Sequence, residues 1–433
     1  RSGQLLYKKA KKLIPAGTQL LSKRPEMFAP DIWPAYYSKA KGCKVWDMDG
    51  EEYIDMSIMG IGANILGYAD DDVDESVIEA IKQGNSSSLN CPEEVELAEL
   101  LIELHPWADM VRYTRSGGEA CAVAIRIARA HTKRDKVLFS GYHGWSDWYL
   151  ASNLGDSHAL DGQLMPGLDP AGVPRGLKGT AIPFDFNDID ELKAKANGIE
   201  KEIAAIIVEP ARGEDAPEDY LNSLKEFANE ISAVLIFDEI TSGFRMCAGG
   251  IHLKYGVNPD IAVFAKSMAN GYAMASVVGT ETVMSSAQNS FVSSTNWTER
   301  IGPVAAIATI KKYITENVAG HIITIGNEVK SIWGKMAEKH KIDINVTGLP
   351  TLASFSFEHE KKQAMMTIFT IHMLNNGFLG FRQFKSSLAH SKSDLRKYEK
   401  AVDDVFQLIA NNPLEELFNT PIAHTGLHRL TKE

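Results

Sequence analysis

The sequence lacks the patterns that mark several whole classes of protein. Its 433 residues include only four cysteines, without a CxxC pair or metal-ligand spacing, so neither a disulfide framework nor a metal site is expected. It has no run of about 18 apolar residues, the length that spans a bilayer, and its first residues lack the apolar core of a signal peptide. We therefore expect a cytoplasmic protein with no membrane partner.

Basic residues are also fewer than acidic residues in this chain. The chain has 45 lysines and arginines against 56 acidic residues, a net charge of −11. Because nucleic-acid binding usually requires a basic excess or patch, we expect no nucleic-acid partner. Neither GxGxxG nor GxxxxGK[ST] follows a predicted strand, which leaves little support for a nucleotide-binding α/β enzyme.

What the chain does contain is a repeated alternation of helix and strand patterns. The predicted strands are 110–114, 136–140, 203–208, 233–237, 261–265 and 274–279. Most are short continuous apolar runs, which is typical of strands covered by helices on both faces. We predict an α/β fold with a doubly wound, mostly parallel sheet. In such sheets ligands bind beyond the carboxyl ends of the strands.

The length predicts two domains, because single hydrophobic cores stop growing near 250–300 residues, roughly. An Asp-Gly pair at 49–50 predicts a hairpin, and the last third of the chain alternates helices with short strands. We predict a large domain at 56–305 and a smaller α+β domain built from both ends of the chain, 1–55 and 306–433. The glycine- and proline-rich segment 151–180 is either a binding loop or a solvated insertion.

An acid and an amine end two of the predicted strands. Asp238 follows the run 233–237, and Lys266 follows the run 261–265. A buried charge without a partner costs several kcal/mol, so a charged group is expected between them. Pyridoxal phosphate fits, since its aldehyde takes a lysine as a Schiff base and its ring nitrogen needs a carboxylate to stay protonated. The plainer alternatives are an aspartate paired with Arg245 and a lysine that reaches solvent.

A glycine pair stands at a predicted strand-to-helix turn. Ser116, Gly117 and Gly118 follow the strand 110–114 and open a helical pattern. Small residues there let backbone N–H groups approach an oxyanion, and the helix dipole favours a phosphate. Taken alone, the pair is explained more simply by an ordinary turn, so the phosphate interpretation depends on the neighbouring motifs.

Three other side chains follow predicted strands and would lie at the same edge of the sheet. Tyr142 can stack on a flat heterocycle, with Ile240 against the opposite face of the ring. Glu209 adds a carboxylate. A tyrosine that fills a crevice is the plainer alternative, and His143 equally fits a core histidine bonded to a backbone carbonyl.

Together these motifs resemble the class III, fold-type I aminotransferases, and most closely the glutamate-1-semialdehyde aminomutase group. The resemblance runs from about residue 13 to about residue 401. Its most specific parts are Ser-Gly-Gly-Glu-Ala at 116–120, Tyr142-His143-Gly144, Glu209-Pro210, the segment 238–245 and Lys266.

The resemblance implies a large domain with a mostly parallel sheet of the seven-stranded type, a pyridoxal phosphate cofactor and a role for each matched position. Lys266 would form the internal aldimine and move the substrate proton, and Asp238 would pair with the ring nitrogen. The remaining implied cofactor contacts are Tyr142 and Ile240 on the ring, Glu209 beside them, and Ser116, Gly117 and Gly118 at the phosphate. Thr298, five residues before Pro303, stands where the family has a threonine that reaches the phosphate in the other subunit. A homodimer is therefore implied.

The chain departs from the family pattern in two places. Gly118 stands where the family usually has threonine, and the segment 15–25 differs from the aminomutase Pro-Gly-Gly segment. Arg24, Trp33 and Arg212 are predicted substrate contacts, with surface roles as the alternative. We predict an aminotransferase that uses a small-molecule amino donor and a carbonyl acceptor and passes through pyridoxamine phosphate. An intramolecular aminomutase and a catalytically silent homologue are the alternatives.

Overall fold

The structure, a computed structural model, describes residues 1–163, 166–211, 213–217, 219–417 and 420–425. The helices are α1 (Ser2–Leu13), α2 (Met59–Gly62), α3 (Asp71–Gln83), α4 (Glu93–Leu104), α5 (Gly117–Thr132), α6 (Asp147–Leu150), α7 (Ile189–Ala196), α8 (Tyr220–Glu230), α9 (His252–Tyr255), α10 (Glu281–Met284), α11 (Ile301–Thr315), α12 (Val318–His340), α13 (Lys362–Asn375) and α14 (Lys392–Asn411). The strands are β1 (Tyr37–Lys41), β2 (Lys44–Asp47), β3 (Glu52–Met56), β4 (Met110–Thr114), β5 (Lys136–Ser140), β6 (Ala181–Pro183), β7 (Ile203–Val208), β8 (Val234–Asp238), β9 (Ile261–Phe264), β10 (Ala275–Gly279), β11 (Ile344–Thr347), β12 (Ala353–Phe357), β13 (Phe378–Gly380) and β14 (Gln383–Phe384).

Two compact units make up the chain. One contains Asp71–Ala319, and the other combines Arg1–Asp70 with Gly320–Glu433. The chain thus passes between units after Asp70 and after Ala319, whereas the sequence predicts domain limits after residues 55 and 305. Those predicted limits stay a prediction. Within the described ranges, none of the helices has the length and apolar character needed to cross a bilayer.

A seven-stranded sheet forms the centre of the unit Asp71–Ala319. Its strand order is β4-β10-β9-β8-β7-β5-β6, and the neighbours from β9 to β6 pair in parallel. β10 runs antiparallel to both β4 and β9. The predicted α/β class, the mostly parallel sheet and the six predicted strands are confirmed. The position of the seventh strand, β6, and the reversed direction of β10 were not predicted.

Successive residues of the central strands face two different apolar cores. Ile207 of β7 packs in a core with the buried face of α5, and its neighbour Ile206 packs in a second core with α8. Every residue of β7, β8 and β9 is buried. Each buried isoleucine contributes about 1.5–3 kcal/mol. Covering both faces explains why these strands read as continuous apolar runs.

The other unit contains two smaller sheets. The first has the order β1-β2-β3-β13, and the predicted hairpin is its β2–β3 pair, turning at Gly50 with φ of 87°. The second has the order β11-β12-β14. Pro350–Leu352 forms a short 3-10 turn, and β12 begins directly after it at Ala353. Helices α12, α13 and α14 supply the core, where the Trp333 indole N–H donates to the Tyr398 hydroxyl at 2.9 Å.

Candidate active site

Asp238 lies at the carboxyl end of β8 and is only 2% exposed. Its Oδ2 accepts hydrogen bonds from His143 Nδ1 at 2.8 Å and from the Cys121 thiol at 3.4 Å. Its Oδ1 accepts from the backbone N–H of Ile240 at 3.0 Å. These donors satisfy most of the carboxylate, as a buried acid requires, and fix its direction.

His143 links Asp238 to the backbone. The carbonyl of Ser140 lies 3.1 Å from His143 Nε2, and a carbonyl only accepts, so Nε2 carries a proton. The remaining nitrogen, Nδ1, then faces Asp238 with one proton between them. The alternative predicted for His143 is met, because the side chain is buried and contacts a backbone carbonyl. His143 also contacts Asp238, the predicted partner of the ring nitrogen.

The ligand atoms of Cys121, His143 and Asp238 lie within 4.8 Å of one another, a grouping that a metal ion also uses. Ligand atoms around a tetrahedral zinc ion are separated by about 3.3 Å or more. The 2.8 Å between His143 and Asp238 is shorter than that and suits a hydrogen bond. We therefore interpret the cluster as a hydrogen-bonded carboxylate.

Lys266 stands at the same edge of the sheet as Asp238. Strands β8 and β9 are parallel neighbours in which Asp238 pairs with Val263, three residues before Lys266. The backbone of Lys266 is left-handed, with φ of 47°, a conformation that costs of order 1–3 kcal/mol outside glycine. Its Nζ donates to the hydroxyl of Thr241 at 2.9 Å. Acid and amine thus end adjacent strands, as the sequence predicts.

The turn Ser116–Gly118 caps the amino end of α5. The Ser116 hydroxyl accepts from the Glu119 backbone N–H at 3.5 Å, and the Glu119 carboxylate accepts from the Ser116 backbone N–H at 2.9 Å. This capping box occupies the N–H of Glu119. The backbone N–H groups of Gly117 and Gly118 find no acceptor within the described ranges. They form a pair of donors suited to an anion.

Glycine at this turn permits close packing. A Cβ on Gly117 would lie 2.7 Å from Ile240 Cδ1, so the predicted ring-contacting residue rests against the turn. A Cβ on Gly118 would lie 3.0 Å from the indole nitrogen of Trp145. Trp145 therefore occupies the room beside the position where the family usually has threonine. Its side chain is 68% exposed.

Glu209, at the end of β7, contacts the segment that carries Tyr142. Its Oε2 accepts from the Tyr142 backbone N–H at 2.9 Å, and a Cβ on Gly141 would lie 2.6 Å from the same oxygen. From the segment 151–180, Gln163 accepts from the Gly141 N–H at 2.7 Å and donates to the Phe184 carbonyl at 3.2 Å. This part of the segment therefore supports the Tyr142 turn and is more than a solvated insertion.

Thr298 is exposed, and its hydroxyl donates to the Thr295 carbonyl at 2.8 Å. The loop that carries it is attached to the residue preceding the Ser116–Gly118 turn. Arg115 donates to the backbone carbonyls of Trp297 at 2.9 Å and Glu299 at 2.8 Å. Its Nε also forms an ion pair with the Glu299 carboxylate at 2.8 Å.

The predicted substrate contacts do not gain support from their surroundings. Arg24 is 1% exposed, and its Nε donates to the Leu21 carbonyl at 3.3 Å. Trp33 stacks on Phe28 with ring centres 4.3 Å apart. Arg212 lies outside the described residues. A substrate role for these three residues stays a prediction.

Sequence reasoning missed the side chains that contact the predicted pair directly. Thr241 binds Lys266, and His143 and Cys121 bind Asp238. Cys121 lies on the buried face of α5 and His143 in a motif that follows a strand, yet neither sequence pattern indicates the partner of the side chain. Such partners depend on which strands become neighbours in the sheet.

Comparisons with known proteins agree with this geometry. The family model described as "Aminotransferase class-III" matches residues 28–386. A 3-aminobutyryl-CoA aminotransferase from Cloacimonas acidaminovorans (strain Evry) is 32% identical over 90% of this chain and 95% of its own length. A glutamate-1-semialdehyde 2,1-aminomutase from Methylacidiphilum infernorum (isolate V4) is 30% identical over 93% of this chain and 96% of its own length. The solved FumI protein of Sphingopyxis sp. MTA144, in its pyridoxal phosphate internal aldimine form, superposes with a TM-score of 0.86, covering 96% of this chain and 99% of that chain at 22% identity.

Proposed function

The chain belongs to the class III aminotransferase family, and we propose that it transfers an amino group from a small-molecule donor to a separate carbonyl acceptor. It is a pyridoxal phosphate-dependent enzyme with fold type I, and the family resemblance predicted from its motifs is confirmed. The observation that carries the proposal is that Asp238 ends β8 and pairs with Val263 of the parallel strand β9, which Lys266 follows.

The residues present fit pyridoxal phosphate. Gly117 and Gly118 offer two open backbone N–H donors and the helix dipole of α5 for the phosphate. Asp238 offers a buried carboxylate that would keep the ring nitrogen protonated, and Lys266 offers a primary amine. Tyr142 is half-buried and packs against the same apolar core as Ile240, as two ring-enclosing side chains would.

When bound, pyridoxal phosphate supplies an aldehyde that condenses with amines and a protonated ring that accepts the electron pair left at the substrate carbon. In our proposal Asp238 holds the proton on the ring nitrogen, and His143 keeps that carboxylate oriented. Lys266 would hold the cofactor through its amine, and the same amine, when free, would carry the proton that leaves the donor carbon.

Transfer between two molecules is favoured over migration within one by two observations. The relative from Cloacimonas is named an aminotransferase, and the segment 15–25 departs from the aminomutase pattern. The aminomutase relatives keep the intramolecular reaction as the second candidate. Reducing, cytoplasmic surroundings stay a prediction.

A screen of amino donors tests the function. The protein loaded with pyridoxal phosphate is mixed in turn with α-amino acids, 3-aminobutyrate, 3-aminobutyryl-CoA and glutamate-1-semialdehyde, and conversion of the cofactor to pyridoxamine phosphate is followed by absorbance. We expect at least one donor to convert the cofactor and release its carbonyl product into solution. Quantitative isomerisation of the semialdehyde with no released carbonyl would favour the aminomutase instead. No conversion by any donor, together with no isomerisation, would support a silent homologue.

We also propose that the enzyme is a homodimer in which Thr298 binds the cofactor phosphate of the partner subunit. Large exposed apolar residues occur near it in sequence and in space: Phe291 is 84% exposed and Leu89 is 82% exposed. Arg300 joins the two segments, since its backbone N–H donates to the Asn85 carbonyl at 2.9 Å. Such apolar exposure is typical of a surface that another protein covers.

Mixed dimers of Thr298→Ala and Lys266→Ala chains test this arrangement. Thr298→Ala alone is expected to weaken pyridoxal phosphate binding about 10- to 100-fold, because a hydrogen bond to a charged group is lost. If the threonine acts across the interface, the mixed dimer contains one site with both residues, and tight lysine-linked binding returns in that site. If it acts within its own chain, no site in the mixed dimer has both residues, and a dimer without any tight site contradicts the proposal.

A further inference from the structure

We propose that Thr241 is a positioning residue for the amine of Lys266, a role that rests on the proposed function. The Thr241 hydroxyl accepts a hydrogen bond from Lys266 Nζ at 2.9 Å. Thr241 also lies three residues after Asp238. One short turn therefore connects the partner of the ring nitrogen to the partner of the reactive amine.

Several hydrogen bonds hold the turn that carries Thr241. The Ile240 N–H donates to Asp238 Oδ1 at 3.0 Å, and the Gly243 N–H donates to the Glu239 carbonyl at 2.7 Å. The carbonyl of Thr241 accepts from Arg245 Nε at 3.3 Å. Arg245 is buried, and this burial lowers its pKa to about 10. The Arg245 guanidinium thus stabilises the turn, and these hydrogen bonds fix the backbone that carries the Thr241 hydroxyl.

A second cluster, in which Glu239, Ser242 and His252 are buried, also holds the turn. Glu239 accepts from His252 Nδ1 at 2.7 Å and from the Ser242 hydroxyl at 2.5 Å. The Trp107 indole N–H donates to His252 Nε2 at 3.0 Å, which leaves the imidazole proton on Nδ1. Burial raises the pKa of Glu239, but the hydrogen bonds from His252 and Ser242 outweigh it and lower the pKa. Glu239 is therefore an anion that fixes the turn on both sides of Thr241.

A neutral hydroxyl can orient the amine of a reactive lysine and leave its lone pair available for reaction. The lysine side chain has four rotatable carbons and about 2 kcal/mol of rotamer entropy, so a single preferred position of the amine increases its effective concentration. A hydroxyl accepts one N–H of the neutral amine and leaves the nitrogen lone pair available. A carboxylate at the same place would stabilise the ammonium form, which has no lone pair. Thr241 thus holds the amine and favours the ammonium form less than a carboxylate would.

The step that Thr241 assists is the capture of pyridoxal phosphate by Lys266. The nitrogen lone pair forms a bond to the aldehyde carbon, the two hydrogens of the neutral amine leave with the aldehyde oxygen as water, and a carbon–nitrogen double bond remains. The same position of the amine serves proton transfer later in the reaction. Thr241 acts through Lys266 in both cases.

Capture kinetics test the role without needing the natural substrate. Apo-protein is mixed with pyridoxal phosphate, and formation of the lysine-linked cofactor is followed by visible absorbance for the wild type, Thr241→Val and Thr241→Ser. We expect Thr241→Val, which keeps the shape and loses the hydroxyl, to react about tenfold more slowly. Thr241→Ser should react within about threefold of the wild type, because it keeps the hydroxyl. Pyridoxamine phosphate has no aldehyde, and its dissociation constant should be the same in all three proteins.

The possible results of the capture experiment separate failure of the role of Thr241 from failure of the proposed function. Equal capture rates in the wild type and Thr241→Val overturn the inference, and so does a Thr241→Ser protein as slow as the valine variant. A weaker affinity of Thr241→Val for pyridoxamine phosphate that accounts for the slower capture also overturns it, because the site itself would then be altered. A wild type that captures no pyridoxal phosphate refutes the proposed function. In a Lys266→Ala background, Thr241→Val should leave capture of the cofactor by added methylamine unchanged.

Discussion

Replacement of Lys266 by alanine is expected to lower single-turnover amino transfer by about 10⁴-fold, because the variant loses the nucleophile that holds the cofactor and the base that moves the proton. The variant should still bind pyridoxal phosphate, since the Ser116–Gly118 turn and Asp238 remain. Stopped-flow absorbance with a donor found in the screen measures the rate, and equilibrium titration measures the affinity.

Lys136→Ala is the matched control for this change. Lys136 also stands at a strand end, but it is the first residue of β5, where it pairs with Glu202 at 2.8 Å. Because the amino ends of the parallel strands lie on the other edge of the sheet, its loss should leave amino transfer unchanged. Near-normal turnover by Lys266→Ala would remove Lys266 from its proposed role.

Replacement of Asp238 by asparagine is expected to slow amino transfer by roughly 10²–10³-fold while the cofactor remains attached to Lys266. A neutral amide does not stabilise a proton on the ring nitrogen, so the ring loses its capacity to accept electrons. His143 also loses the carboxylate that its Nδ1 contacts at 2.8 Å. The rate is measured in single turnovers, and the attachment by visible absorbance.

Asp260→Asn provides the comparison for Asp238→Asn. Asp260 accepts from the Leu235 N–H at 2.8 Å and pairs with Lys225 at 2.7 Å, next to the amino end of β9. Its replacement should lower the melting temperature slightly and leave amino transfer intact. An Asp238→Asn enzyme as fast as the Asp260→Asn enzyme would show that the carboxylate at position 238 has no part in the chemistry.

The sequence was sufficient to predict the central sheet because its strands carry an unambiguous signal. Strands buried on both faces must be apolar throughout, and β7 with its six buried residues is the clearest case. The polar residues that end these runs then stand out. Asp238 and Lys266 could be assigned to one edge of the sheet on this basis, and the pairing of Asp238 with Val263 agrees.

Contacts between residues that the tertiary fold brings together could not be predicted from the sequence. The reversed direction of β10 leaves no mark in an apolar strand, since a buried strand reads alike in both directions. Thr241 appeared only as one letter of a motif, and nothing local indicated that its hydroxyl would meet Lys266. Glu209 was expected near the cofactor, but its contact with the Tyr142 backbone depends on the neighbouring strand.

The most direct measurement is to reduce the loaded wild-type protein with borohydride, digest it and identify by mass spectrometry the residue that carries the pyridoxyl phosphate group. The modified peptide should contain Lys266, and Lys266→Ala should give no modified peptide. Stoichiometric label on another lysine, with Lys266 unmodified, would contradict the assignment of the active site to the ends of β8 and β9.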